Sequence, residues 1–399
     1  MRMTKQLGVL AVFVAAAPAL TAQQSVSLSK PDAETTESFT QVTAIRELPS
    51  GKLLVADSRD KVVQLVDLVT GAMTKVGREG NGPGEYALPM ALIALPDGNT
   101  LVHDMLNRRF LIVGPDGKPG AFLELPRPTA PAGGGGPIML GGIQQVRGYD
   151  DRGRLYFTGS PFTAGGGSAD SIALLRWDRV KPSFDTVGYL KLPPNSASRS
   201  GSGGTVMIRM GNNVRFTPAE GWAVAGDGSI ARVFPSPYRV AWLNGRGAPV
   251  LGPVVPYTPM KVTEADKQAY MEQMRRNPGT RIMIGGGPGG GPGGGGGRPP
   301  GGDPSPPPPE FADTKPPFEA GIGVGGTVQA TPDGEVWVLR TRPASNKTPS
   351  YDVFDKSGTL VKKVTLNPNS RVAGFGKGTV YVVRSDEDDL QYLQRYRRP

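Results

Sequence analysis

Six times along its 399 residues this chain sets a glycine in a turn and follows it with a short apolar run. The turns centre on Ser50-Gly51, Asp97-Gly98, Arg152-Gly153, Asp227-Gly228, Asp333-Gly334 and Lys377-Gly378, and the runs occupy residues 52–56, 100–103, 154–157, 229–233, 335–339 and 379–383. A glycine between two extended runs is a strong hairpin signal, because a residue without a Cβ takes up the positive φ that a tight turn demands. Successive anchor glycines lie 47, 55, 75, 106 and 44 residues apart, and the shortest steps match the length of a four-stranded propeller blade. The repeat therefore predicts an all-β chain wrapped into a six-bladed β-propeller, with the longer steps as blades that carry insertions.

With strands named a to d from the axis outward, the first blade reads as residues 41–48, 52–56, 62–66 and 73–76, and the second as 90–95, 100–103, 110–113 and 121–125. The sixth supplies only three strands, over 371–376, 379–383 and 391–396. Residues 24–29, where Val26 and Leu28 alternate with serines, are predicted to be the missing N-terminal strand that closes the ring non-covalently. Long connections fall over residues 127–142, 193–212 and 256–325, between strand d and the next strand a, and over 160–170 and 341–350, between b and c. In an up-and-down blade both kinds of connection leave on one face, so that decorated face is where a binding site is expected.

Inside the largest insertion, residues 285–309 are almost wholly Gly and Pro and are expected to be disordered. Ahead of them, Thr263-Glu264-Ala265-Asp266 has the pattern of a capping box with Asp in place of Glu or Gln. It predicts a helix through about Arg276 with Ala265, Ala269, Tyr270 and Met274 on one side. The insertion of residues 256–325 reads either as cover for a blade edge or as a mobile lid.

A content of 57 Gly and 40 Pro with only 20% charged residues suits a turn-rich β domain. Arg2 and Lys5 precede apolar residues 7–17, followed by Pro18 and small residues to Ala22, which predicts a secretory signal peptide over 1–22 and the propeller over 23–399. That apolar run is too short to span a bilayer. The chain has no cysteine, which excludes a lipid anchor on a cleaved N-terminal Cys, a disulfide framework and a thiolate metal site. The formal charge of +10 falls to about +8 without Arg2 and Lys5. The basic residues are scattered apart from Arg395, Arg397 and Arg398, and the aromatic and basic interleaving of single-strand binders is missing, so no nucleic-acid partner is expected. The expected location is periplasmic or extracellular, with no transmembrane segment after signal cleavage.

His103 is the one histidine, so a multi-histidine zinc site is excluded and a Ser-His-Asp triad could run only through it; no Gly-x-Ser-x-Gly elbow occurs. It aligns with Ala56 of the first blade and reads as a core residue. Six residues beyond each anchor glycine stand Asp57, Asp104, Gly159, Phe234, Arg340 and Arg384, where the b strands enter the decorated face. Two readings are open. Asp57 and Asp104 cap the b-to-c loops while Arg384, beside the first blade on ring closure, makes an interblade ion pair. Alternatively a half-acidic, half-basic rim orients a polar ligand. Asp386 and Asp388, in the acidic run 385–389, read as a solvated loop or as weak calcium ligands, since the regular Asp-x-Asp-Gly spacing is absent. Residues 77–86 join the first two blades on the same face and lack the Lys-Ser/Thr ending of a phosphate loop. They read as a shaped turn whose Arg78, Glu79, Glu85 and Tyr86 are candidate contacts for a partner.

Residues 77–86 with Pro89, 54–57 followed by 62–67, 222–228 with 238–242, and 256–257 with 262–266 resemble the exported bacterial six-bladed β-propellers of the NHL-like group. The resemblance covers nearly all of the chain after the signal segment and implies a scaffold rather than a reaction. Related propellers include metal-dependent lactonases and amidating lyases, but the lyases' histidine ligands have no counterpart here beyond His103. The expectation is a non-catalytic extracytoplasmic scaffold that binds a protein, peptide or glycan of the cell envelope through the decorated face, with calcium the one cofactor left open. The alternatives are a calcium-assisted hydrolase or lyase with Asp57, Asp104 and Asp386 around the mouth, and an assembly part of a larger envelope complex.

Overall fold

The computed structural model describes residues 24–125, 146–159, 161, 169–181, 183–194, 197–202, 205–210, 214–245, 247–276, 309–319 and 326–399. The expected signal peptide and all of the Gly/Pro stretch except Pro309 lie outside the described residues. All six anchor glycines have positive φ, between 71° and 96°. At Gly51 the amide donates to the Leu48 carbonyl at 2.9 Å while Leu48 N–H donates to Lys52 at 2.8 Å, a three-residue loop closed by a glycine bulge. Gly98, Gly153, Gly228 and Gly334 repeat this pattern, and only Gly378 sits in a two-residue turn. A side chain at any of the six would meet the left-handed region, where Cβ crowds the backbone.

Each anchor turn joins strands a and b of a four-stranded antiparallel sheet. Blade one is Val42–Glu47, Leu53–Asp57, Val62–Val66 and Met73–Lys75; blade two is Pro89–Ala94, Thr100–Asp104, Arg109–Val113 and Pro119–Glu124. Blade three is Gly148–Tyr149, Leu155–Thr158, Ser171–Asp178 and Ser183–Lys191; blade four is Gly221–Val224, Ile230–Pro235, Tyr238–Leu243 and Val250–Leu251. Val328–Ala330, Val336–Leu339, Ser350–Phe354 and Leu360–Leu366 make blade five, and Ser370–Phe375, Thr379–Ser385 and Gln391–Arg397 the inner three strands of blade six. The chain is a six-bladed β-propeller.

Its core is divided among the blade junctions. The b strands are near-continuous apolar runs because both faces of every sheet are covered, and the period-two pleat deals alternate residues to opposite neighbours. Leu53 and Val55 pack with Tyr381 and Val383 of blade six, whereas Leu54 and Ala56 pack with Val102 and Leu111 of blade two. Val336 and Val338 face blade four while Trp337 faces blade six.

Ring closure departs from the sequence expectation. Gln24–Leu28 lies parallel to Leu360–Leu366 as a fifth strand outside blade five, with Val26 opposite Val364 and Leu28 opposite Leu366. The chain then crosses to blade six, where Ala33–Glu34 pairs antiparallel with Gln394 and Arg395, and Phe39 bridges Gln391. An N-terminal strand does close the ring, but residues 33–39 fill the vacant place assigned to 24–29. Alternation of Val26 and Leu28 reports that one side of the strand is buried, not which edge receives it. The junction is locked further by Glu47, whose carboxylate accepts from Thr379 Oγ1 and Tyr381 OH, both at 2.7 Å.

The d-to-a and b-to-c connections, the lengthened ones among them, begin and finish at one end of the blade strands, and the described turns at the other end are short. One segment read as a loop holds a hairpin of Ala197–Ser202 and Thr205–Met210. The insertion after blade four is anchored by Met260–Lys261 against Thr314–Lys315 and by a parallel pairing of Glu310–Phe311 with Val214–Arg215. Among the described residues no helix is long and apolar enough to cross a membrane.

Candidate functional site

Asp57 and Asp104 occupy matching places at the edge of the decorated face, and both are buried. Asp57 accepts from the backbone N–H groups of Thr40 and Gln41 through Oδ2, at 2.7 and 2.9 Å, and from those of Arg59 and Asp60 through Oδ1, both at 3.0 Å. Asp104 accepts from Ala87 N and Leu88 N, both at 3.1 Å, and from the Asn107 side chain at 2.7 Å. Each carboxylate thus ties the start of strand a to the b-to-c turn of its own blade.

The two arginines of the rim are also engaged. Arg340 Nη1 lies 2.7 Å from Asp352 Oδ2, which also accepts from Tyr238 OH at 3.0 Å, so the group spans blades four and five. Its guanidinium sits over the Tyr238 and Tyr257 rings at 4.9 and 5.0 Å. Arg384 does not pair with Asp57 across the closure. It pairs with Glu34 of the closing strand at 2.7 Å and covers the Tyr392 ring.

Residues 77–86 fold into a small closed turn, with Arg78–Glu79 parallel to Glu85–Tyr86. A Cβ on Gly77 would lie 2.5 Å from the Gly84 carbonyl oxygen, so only glycine permits the crossing. Tyr86 is fully buried; its hydroxyl accepts from Val63 N and donates to the Val76 carbonyl, both at 2.8 Å. Glu85 accepts from Gly82 N at 2.7 Å and from Arg78 Nε at 2.6 Å, and these bonds hold its carboxyl below the usual range. Glu79 pairs with Lys61. Of the four candidates, Arg78 and Glu79 keep exposed side chains, while Glu85 and Tyr86 form the inside of the turn.

Asp386 Oδ1 accepts from the amides of Asp388 and Leu390 at 3.0 and 2.9 Å, an Asx turn. Among the described residues no group of three or more Asp, Glu or His is arranged to hold a metal ion. His103 is buried against Phe110, ring centroids 5.1 Å apart, and burial lowers its pKa to about 4.

The insertion contributes buried polar contacts on this face. The helix Glu264–Arg276 begins as the capping box predicts: Thr263 N–H donates to Asp266 Oδ2 at 2.9 Å and Asp266 N–H returns a bond to Thr263 Oγ1 at 3.3 Å. Asp266 Oδ1 also accepts from Lys315 Nζ and from Ala344 N, both at 2.8 Å, and Lys315 Nζ donates to the Arg342 carbonyl at 2.8 Å. Burial alone would push the Asp266 carboxyl up, but these bonds bring it down to about 2. Asp266 and Tyr270 therefore face the protein while Ala265, Ala269 and Met274 are exposed, a rotation from the apolar side predicted for this helix. The tether outweighs the small apolar gain that Ala265 and Ala269 offer.

Arg342, whose carbonyl accepts from Lys315, adjoins that tether, and Arg371 stands at the start of strand a in blade six. Burial lowers the pKa of Arg371 and of Arg342, and raises that of the Glu319 carboxyl despite Lys315, Arg342 and Arg215 around it. None of these residues stands out in the sequence. Lys315 and Asp266 are 49 positions apart, and only the folded insertion brings them together.

No protein-family model matches the chain, and no curated protein matches its sequence. Several solved structures are similar to the chain over most of its length. A DUF4221-family protein from Bacteroides vulgatus has 6% identity over 92% of this chain and 96% of that one, with a TM-score of 0.48. Regucalcin from Agrobacterium tumefaciens, a calcium-binding protein, has 9% identity over 94% and 97%, with a TM-score of 0.43. Virginiamycin B lyase from Staphylococcus aureus has 10% identity over 92% and 87%, with a TM-score of 0.37.

Proposed function

We propose that this chain is an exported, non-catalytic scaffold of the NHL-like kind that engages a protein, peptide or glycan of the cell envelope through its decorated face. The observation that carries this reading is how the face is built. Its b-to-c loops in blades one and two are capped by Asp57 and Asp104, blades four and five are joined by Tyr238 with Asp352, which Arg340 also pairs, and its insertion is fastened by Asp266 with Lys315. These groups spend their charge on holding loops in place, which suits a pre-organised recognition surface. Ligands of rigid scaffolds are met by such loops.

The test is retention of isolated envelope fractions (peptidoglycan, polysaccharide and membrane vesicles) on immobilised protein, with Arg78→Glu on the decorated face compared with Lys118→Glu on the opposite face. Loss with the first substitution and not the second is expected. Retention unaffected by Arg78→Glu and by removal of the insertion would sink the reading. Elemental analysis decides against it in favour of a calcium-assisted hydrolase if a stoichiometric divalent ion is found whose removal abolishes turnover.

A further inference from the structure

Asparagine is followed by glycine twice in the chain, at Asn81-Gly82 and at Asn244-Gly245. Such a pair carries a reaction of its own, because the glycine amide nitrogen can attack the asparagine Cγ once it loses its proton, and no Cβ stands in the way. The fold treats the two pairs differently. Asn81-Gly82 lies in the closed turn of residues 77–86, where each reacting group is held. Gly82 N–H donates to Glu85 Oε2 at 2.7 Å, which turns the nitrogen toward a carboxylate and keeps its proton in place. Asn81 Oδ1 accepts from Asn107 Nδ2 at 2.8 Å, and the Asn81 carbonyl accepts from Arg109 Nη2 at 3.1 Å. A Cβ on Gly82 would stand 3.1 Å from Glu85 Oε2, so the space beside this amide is filled.

Asn244-Gly245 follows strand c of blade four, Tyr238–Leu243, in the turn toward strand d, and both residues are exposed. Gly245 has a φ of 67°, and a Cβ built on it would meet nothing within 4 Å. Among the described residues neither the Asn244 side chain nor the Gly245 amide has a hydrogen-bond partner. Strands c and d pair only through Ala241 with Leu251 and Trp242 with Val250, so the turn between them is loosely closed. Everything that restrains the first pair is missing from the second.

We infer that Asn244 is a site of spontaneous covalent modification, at which the folded protein turns an amide into a carboxylate while Asn81 is protected. Gly245 N bonds to Asn244 Cγ as the Cγ–Nδ2 bond breaks; the proton of Gly245 N passes to solvent, and Nδ2 takes one up and leaves as ammonia. Water then opens the five-membered imide at either carbonyl, giving aspartate or an isoaspartate whose backbone runs through the former side chain. Nothing is oxidised or reduced, and water is the one co-reactant. Each event adds a negative charge at the end of blade four opposite the decorated face, so the inference stands whichever ligand that face binds.

The test holds the whole mature protein folded in mildly alkaline buffer and follows both sites over time by peptide mass spectrometry, with aspartate and isoaspartate products separated. Asn244 is expected to convert, and Asn81 to convert about tenfold or more slowly, the factor set by breaking a hydrogen bond to a charged group. In urea, where Glu85 no longer holds Gly82, the two sites should convert at similar rates. Asn244→Gln changes an exposed turn residue and should remove the acidic species that anion exchange resolves from aged wild-type protein. An Asn244 that stays intact in the folded protein, or an Asn81 that converts as fast, overturns the inference. A rate difference that persists in urea would place its cause in the flanking sequence and overturn it as well.

Discussion

His103 is the chain's single histidine, so a pH dependence of stability near neutrality can be traced to one side chain. It sits on strand b of blade two, 2% exposed, with no partner for Nδ1 among the described residues. Burial takes its pKa from 6.5 down to about 4, against a weaker upward pull from Asp104. With the folded pKa below the unfolded one, the unfolded chain takes up the proton first as pH falls. The stability is complete above the unfolded value of 6.5 and is lost progressively down to the folded value of about 4. A difference of roughly 2.5 pH units corresponds to about 3 kcal/mol. Glu319 works in the opposite sense, because its raised carboxyl keeps a proton longer in the folded state. The clean measurement is therefore a difference. Urea unfolding followed by tryptophan fluorescence, in steps from about pH 8 to about pH 4, is compared between wild type and His103→Gln. The wild-type curve should fall relative to the variant by about 3 kcal/mol across that range. Parallel curves, or an imidazole that titrates in the folded protein near 6.5, would refute the argument.

Asp266→Asn leaves the Lys315 ammonium buried and unmatched, at a local cost of about 3 kcal/mol. Hydrogen exchange should show the helix Glu264–Arg276 losing protection while the blade strands keep theirs, and unchanged protection would mean that another contact tethers the helix. Tyr86→Phe orphans the buried Val63 amide and should lower stability by about 1 to 3 kcal/mol with an unchanged denaturant slope. Deletion of residues 24–28 strips an edge strand whose one fully buried side chain is Leu28 and should cost about 2 to 3 kcal/mol, read from the urea midpoint. Deletion of 24–39 should cost at least about twice as much, since it also removes Phe39 and opens the edge of blade six; equal losses would contradict the observed closure.

The parts legible in the sequence are those set by neighbours along the chain. The anchor glycines adopt the positive φ that their turn positions require. The apolar b strands pair with the runs beside them, and the capping box at Thr263 starts a helix where expected. The fold followed because a repeated hairpin unit with both faces apolar has to be covered on both sides by its own copies. Even Asp57 and Asp104 could be read as loop caps, since their amide partners lie within 17 residues.

Only the tertiary structure decided what joins residues far apart. The sequence marked residues 24–29 as an edge strand, but which of two neighbouring sheet edges would accept it depends on packing around Leu28, Leu366 and Tyr396. Arg384 finds Glu34 across 350 positions, and Arg340 meets Tyr238 through a carboxylate on the next strand. The buried tether of Asp266 and Lys315 has no linear signature, because a charge becomes unusual only when folding removes its water. Local geometry is written in adjacent residues, while the balance of desolvation and charge is a property of the closed ring.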